Sequence, residues 1–172
     1  MTEETTTTGA KLRVTRGDIT LLEVDAFVYY AQPNLQLGTG FGNAIAVRGG
    51  PAIQQELDKL APRETCEVVI SDGGKLPAKY ILHAVGPRFQ KEDLEAKLRT
   101  TTVNALKLAE EKGIARIAFP LMGRGFYGVP FEDSARLTVG TIKEYLAGKN
   151  GLQEILVCVN DTFEMAKVEA LL

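Results

Sequence analysis

The chain has 172 residues, 45% hydrophobic and 24% charged, with a formal net charge of −2. This is enough for one well-packed domain and too short for two comfortable ones. No run of Lys or Arg would track a phosphate backbone, which argues against long nucleic acids as partners while leaving room for a small anion held by local dipoles. No apolar stretch reaches membrane-spanning length, and the N-terminus lacks the basic-then-apolar order of a signal peptide, so no membrane partner and a cytoplasmic location are expected.

Met1 to Gly9 is a Thr/Glu-rich leader, and residues 1–10 read as a disordered tail ahead of one domain over residues 11–172. From there, short β-rich runs alternate with helical patterns. Strands are predicted at Leu12 to Thr15, Ala26 to Tyr30, Glu67 to Ser71, Tyr80 to Val85, Ile114 to Phe119 and Glu154 to Val159. The middle ones are apolar on both faces, as strands covered by helices on both sides must be. Helices are predicted at Asn43 to Arg48, Pro51 to Leu60, Leu94 to Lys112, Glu132 to Ala147 and Thr162 to Leu171. Pro51 suits a first helical position. Ala135, Val139, Ile142 and Leu146 recur at helical spacing as one buried stripe, and Gly148 and Gly151 end that helix. Nothing repeats and no linker divides the chain, so the pattern describes a single three-layer α/β domain.

The two cysteines, Cys66 and Cys158, fall in predicted strands, and the single histidine, His83, sits in the apolar run from Tyr80 to Val85. Buried strand packing is the favoured reading for all three, and a disulfide is the weaker one. One His and two scattered Cys make neither a zinc site nor a Ser-His-Asp triad, and no metal or cofactor is implied.

Two glycine-rich segments interrupt the pattern, each between a strand and a helix: Gln36-Leu-Gly-Thr-Gly-Phe-Gly-Asn-Ala44 and Pro120-Leu-Met-Gly-Arg-Gly-Phe-Tyr-Gly-Val-Pro130. Missing Cβ atoms let backbone N–H groups approach a ligand, and a following helix N-terminus favours negative charge. Two such loops at strand carboxyl ends can close on a diphosphate from both sides. Either loop alone is as often a tight turn. The first is not a dinucleotide fingerprint, since Asn43 stands at the third glycine, and no Gly-Lys-Ser/Thr follows to make a P-loop.

Five segments in order resemble the macro domain family. They are Gly17-Asp-Ile-Thr20, Val24-Asp-Ala26, the first glycine loop, Ile81-Leu-His-Ala-Val-Gly-Pro87, and Ile117-Ala-Phe-Pro120 entering the second loop. The resemblance runs from about Leu12 to the C-terminus. It implies a three-layer α/β/α sandwich around a mixed, mostly parallel sheet that binds ADP-ribose or a related adenine nucleotide, an ADP-ribosylated protein being a further possible partner. Position by position, Asp18 matches the carboxylate that accepts from the adenine amino group, and Ile19 offers the ring a backbone N–H. Asp18 reads equally as a cap on the turn that follows it. Leu37, Gly38, Thr39, Gly40, Phe41 and Gly42 match the first diphosphate loop. Gly123, Arg124, Gly125, Phe126 and Tyr127 match the second, where the two aromatics either flank the distal ribose or pack the loop onto the core. Asn160 lies near the adenine-flanking position.

The departures matter as much. In hydrolytic members the strand ending Tyr29-Tyr-Ala-Gln32 reads Asn-Ala-Ala-Asn, so Gln32 replaces the asparagine that orients the distal ribose. Gly42 stands where a catalytic aspartate aligns. Arg124 replaces a small hydroxyl residue and either pairs with phosphate, the favoured reading, or lies in solvent. Tyr29 and Tyr30 should face opposite layers, and either can narrow the ribose pocket. No carboxylate lies between Asp25 and Glu56, no lysine between Lys11 and Lys59, and Arg124 is the one charged residue from Phe119 to Pro130. Hydrolysis needs a base or an activated nucleophile. The expectation is therefore binding without efficient turnover and no catalytic residue, the alternative being a hydrolase of ADP-ribose derivatives whose ligand assists the chemistry.

Overall fold

A computed structural model describes residues 3–5, 9–89, 91–148 and 150–172, with the backbone alone for residues 3–5 and 126. The elements are Glu3–Thr5 (β1), Lys11–Arg16 (β2), Ala26–Ala31 (β3), Phe41–Gly49 (α1), Ala52–Asp58 (α2), Val68–Asp72 (β4), Tyr80–Val85 (β5), Leu94–Glu111 (α3), Arg116–Pro120 (β6), Phe131–Ala147 (α4), Glu154–Val159 (β7) and Thr162–Glu169 (α5). Among the described residues the strands form one sheet in the order β1-β2-β7-β6-β3-β5-β4. The five inner strands pair in parallel. The edge strands β1 and β4 run antiparallel to their neighbours.

All six residues of β3 are buried. Successive side chains of a strand point to opposite faces, and here each face meets a helical layer. Ala26, Val28 and Tyr30 join a core with Leu98 and Leu106 of α3 and Val139 and Ile142 of α4. Phe27, Tyr29 and Ala31 join a second core with Ile45 of α1 and Ile53 and Leu57 of α2. β7 divides likewise, with Ile155, Val157 and Val159 on the first face and Leu156 and Cys158 on the second. This double burial selects continuous apolar runs over alternation and makes the domain a three-layer sandwich. The α4 stripe of Ala135, Val139, Ile142 and Leu146 is buried as its spacing predicts. No helix among the described residues is long and apolar enough to cross a membrane.

Two local expectations are corrected. Glu3–Thr5, assigned to a disordered tail, pair with Arg13, Leu12 and Lys11 of β2 and extend the sheet; residues 1, 2 and 6–8 lie outside the described residues. Cys66 is not in a strand. It occupies the turn before β4 with φ of 79°, and its N–H bonds the Val85 carbonyl at 2.6 Å. That geometry falls outside extended backbone, leaving Cys66 only partly buried while Cys158 is buried in β7.

His83 is fully buried in β5. The Ser71 hydroxyl donates to the Asp72 carbonyl and, with its free lone pair, can accept from His83 Nε2 at 2.8 Å. Nδ1 has no partner among the described residues. Burial pushes the imidazole down from 6.5 to about 3. The folded protein therefore keeps His83 neutral while the unfolded chain takes up a proton below pH 6.5, so stability is full above that pH and falls as pH drops toward 3. Between pH 6.5 and 4.5 the unfolding free energy from denaturant titration should fall, with a slope approaching about 1.4 kcal/mol per pH unit. The fall should be shallower in His83→Gln. An equal slope in parent and variant would remove His83 as its source.

Candidate functional site

The parallel strands end together, β2 at Arg16, β3 at Ala31, β6 at Pro120 and β7 at Val159. The segments that follow them line one cleft of about 970 Å³. Ligand crevices of open α/β sheets lie at this carboxyl edge.

One end of the cleft is built after β2 and β7. Asp18 Oδ1 accepts from the Thr20 N–H at 2.9 Å and the Thr20 hydroxyl at 2.6 Å, capping the short 3₁₀ turn Ile19–Leu21. Its Oδ2 is ion-paired with Arg48 of α1, which also reaches Thr20 Oγ1 at 2.8 Å. Burial pushes the Asp18 carboxyl up, but the bonds from Thr20 and Arg48 outweigh it and hold the group below its ordinary value. Asp18 therefore caps a turn and still presents an anion to the cleft. Beside it, Cys158 is pushed up to about 11 by burial and by the Asp18 charge, so it stays a neutral thiol at physiological pH.

The first glycine loop is held from below. The Gln54 amide of α2 accepts from the Leu37 N–H at 3.0 Å and donates to the Leu35 carbonyl at 3.2 Å, and the Tyr29 hydroxyl donates to the Leu37 carbonyl at 3.1 Å. Burial lifts the Tyr29 phenol to about 12, so it remains a donor. Beyond this anchored stretch, Gly38 and Gly40 have φ of 66° and 61°, a region closed to most side chains. Among the described residues, the N–H groups of Gly38, Thr39, Gly40, Phe41 and Gly42 have no hydrogen-bond acceptor. The last two belong to the first turn of α1, whose N-cap Gly40 supplies no side-chain cap. Unpaired N–H groups at a helix N-terminus make an anion site.

The second loop is tied to α4. Thr138 Oγ1 accepts from the Met122 N–H at 3.0 Å, and the Ser134 hydroxyl donates to the Met122 carbonyl at 2.6 Å. The Arg124 and Gly125 N–H groups have no acceptor among the described residues. At the opposite end, Tyr30 donates to the Pro87 carbonyl and meets the Tyr127 ring edge-on at 4.6 Å. Tyr29 and Tyr30 lie on opposite faces of β3, yet both line the cleft.

Of the residues singled out in the sequence, Asp18, Ile19, Gln32, Leu37, Gly38, Thr39, Gly40, Phe41, Gly42, Arg124, Gly125, Tyr127 and Asn160 line the cleft. Gly123 is not among the lining residues. Its carbonyl accepts from the Val129 N–H, and a Cβ there would lie 2.5 Å from Val129, so it shapes the turn. The Phe126 side chain lies outside what is described. Arg124, expected against phosphate or in solvent, pairs with Glu164 of α5 at 3.1 Å, a partner the sequence did not suggest, and lies 5.2 Å from the Phe131 ring centroid. Sequence reasoning missed Glu164, which lines the cleft, and Arg48. The pattern Asp161-Thr-Phe-Glu164 is a helix-start signal and fixes where Glu164 lies: Asp161 caps α5 by accepting from the Glu164 N–H at 2.8 Å.

The chain is thus an α/β sandwich with two glycine loops lining one crevice at the carboxyl edge of its sheet. The family model described as Macro domain matches residues 29–138. A protein of Saccharolobus solfataricus is 38% identical over 92% of this chain and 92% of its own length. Mouse ADP-ribose glycohydrolase MACROD2 is 40% identical over 87% of this chain, which spans 32% of that longer relative. The Oceanobacillus iheyensis macrodomain, solved as a mutant with ADPR, superposes with a TM-score of 0.93 at 26% identity and covers 99% of this chain and 95% of its own. The chain belongs to the macro domain family.

Gly42 is confined as well as bare. A Cβ built there would lie 1.7 Å from the Leu37 carbonyl oxygen and 2.6 Å from the Tyr29 hydroxyl. Replacing glycine by alanine in a helix gains at most about 1 kcal/mol, whereas forcing a methyl into filled space costs about 1–3 kcal/mol or more. The obstacle here is backbone, so the clash should win. Gly42→Ala is expected to lower the denaturant midpoint, and Gly42→Asp to lower it further. A variant as stable as the parent would show that the Leu37 carbonyl yields freely.

Proposed function

We propose that the domain binds ADP-ribose or a related adenine nucleotide in the cleft between its two glycine loops and turns it over poorly. The observation that carries this reading is the pair of open backbone N–H arrays, Gly38 to Gly42 and Arg124 to Gly125, facing one crevice. A diphosphate accepts hydrogen bonds from both sides of such a crevice, and the first array adds a helix dipole. The volume of about 970 Å³ lies within the roughly 300–1,000 Å³ of small-molecule sites. Solved macrodomains with ADPR support the ligand class.

In this pose the adenine lies at the Asp18 end, its exocyclic amine donating to the carboxylate that Thr20 and Arg48 hold in place. The diphosphate lies against the glycine loops, and the distal part of the ligand faces Gln32, Tyr29 and Tyr127. Asp18→Ala should weaken ADP-ribose binding by about 1.5–3 kcal/mol, roughly ten- to a hundredfold, with a smaller loss for the hypoxanthine analogue, which lacks the amine. Calorimetry with both nucleotides measures this. No binding of any adenine nucleotide by the parent at millimolar concentration refutes the function, and equal affinity in parent and variant refutes the role of Asp18.

A hydrolase reading is favoured by one observation, the 40% identity to a relative named ADP-ribose glycohydrolase. Against it stand Gln32 and the confined Gly42, which leave the first loop without a carboxylate. A positioned general base is worth about 10²–10⁴-fold, so release of ADP-ribose from a modified protein should be absent or slower than in relatives with the asparagine and aspartate set by about that factor. Affinity and product release measured on one preparation separate the two readings, and brisk turnover by the parent would establish ligand-assisted hydrolysis.

A further inference from the structure

We propose that Glu164 is a specificity residue at the adenosine ribose, admitting a free 2′-hydroxyl and excluding a nucleotide phosphorylated there. The inference rests on the adenine-nucleotide reading above. Adenine at Asp18 and diphosphate at the glycine loops leave the ribose to pass between them. In that stretch the Arg124–Glu164 pair joins the second loop to α5 along the cleft wall.

Glu164 is a fixed carboxylate. Only 11% of its side chain is exposed. Oε1 accepts from the Asn160 N–H at 3.1 Å, Oε2 accepts from Arg124 Nη2 at 3.1 Å, and its own N–H is tied to Asp161 Oδ1 at 2.8 Å. An ionised carboxylate offers about four lone-pair sites, so acceptor capacity remains after these two bonds. A carboxylate placed beside a ribose takes a hydrogen bond from a hydroxyl and repels a phosphate, the same discrimination that an acidic residue exerts in dinucleotide sites.

Arg124 would be the natural ligand for an added phosphate. Its charge is already offset, because Glu164 binds one of its nitrogens and its guanidinium lies against Phe131. Among the charged side chains lining the cleft, Asp18 and Glu164 outweigh Arg124. Glu164 thus acts twice, as a negative charge at the ribose and as the partner that offsets Arg124, the one cation among the residues lining the cleft.

The test is titration calorimetry on the full chain with ADP and with ADP carrying a 2′-phosphate. The parent should prefer ADP by at least about tenfold, the scale of one misplaced like charge. Glu164→Gln keeps the shape, loses the charge and releases Arg124, so it should bring the two affinities to within about threefold, chiefly by tighter binding of the phosphorylated ligand. Arg124→Ala leaves the Glu164 charge uncompensated and should widen the preference, which keeps the test decisive even if the glutamine variant does not fold. An unchanged preference in Glu164→Gln with ADP still bound, or a preference that fails to widen in Arg124→Ala, overturns this inference and leaves the nucleotide reading intact. A parent that binds neither ligand overturns both.

Discussion

The burial of β3 on both faces governs the rest of the structure. A strand between two parallel neighbours, with a helical layer on each side, has no face left for polar residues, and all six of its side chains are buried. Its last turn of side chains nevertheless reaches the carboxyl edge of the sheet, where the cleft opens. Tyr29 and Tyr30 meet both demands, since each buries a ring and spends its hydroxyl on a loop carbonyl, Leu37 on one face and Pro87 on the other. These two bonds tie the first glycine loop and the segment after β5 to the strand.

Such a sheet writes itself into the sequence. Parallel inner strands are short apolar runs, and the helices between them carry apolar residues at helical spacing, so element identity and order were legible from β2 to α5. The exceptions are elements without that signature. Glu3–Thr5 is polar and becomes a strand only because β2 offers an open edge. Cys66 lies in an extended-looking run, but a left-handed backbone at that residue delays β4 until Val68.

The site was legible to the extent that it is made of backbone. Glycines at loop positions signal backbone exposure directly, and both loops line the cleft. Pairings between side chains distant in sequence carry no such signal. Arg48 reaches Asp18 across 30 positions and Arg124 reaches Glu164 across 40, distances over which only the finished topology brings groups together. Gly123 shows the opposite error. Its glycine is required by Val129 packed where a Cβ would go, a demand indistinguishable in sequence from exposure to a ligand.

In the proposed nucleotide complex the anion falls to backbone dipoles, because the charged groups around the cleft already have partners. Arg48 is paired with Asp18, Arg124 with Glu164, and the acids outnumber the cation that lines the cleft. Unpaired N–H groups on an anchored loop need little rearrangement to receive a phosphate, and their orientation is secured by Gln54 and Tyr29 from outside the loop. The same anchoring leaves no room for a side chain at Gly42. The Leu37 carbonyl that Tyr29 fixes is the atom a side chain at Gly42 would strike. Tyr29 and Gly42 are therefore one solution: the phenol makes the loop rigid at the expense of the space a carboxylate would need. The space a side chain at Gly42 would need is filled by the Leu37 carbonyl and the Tyr29 hydroxyl, while the backbone N–H groups around it stay open.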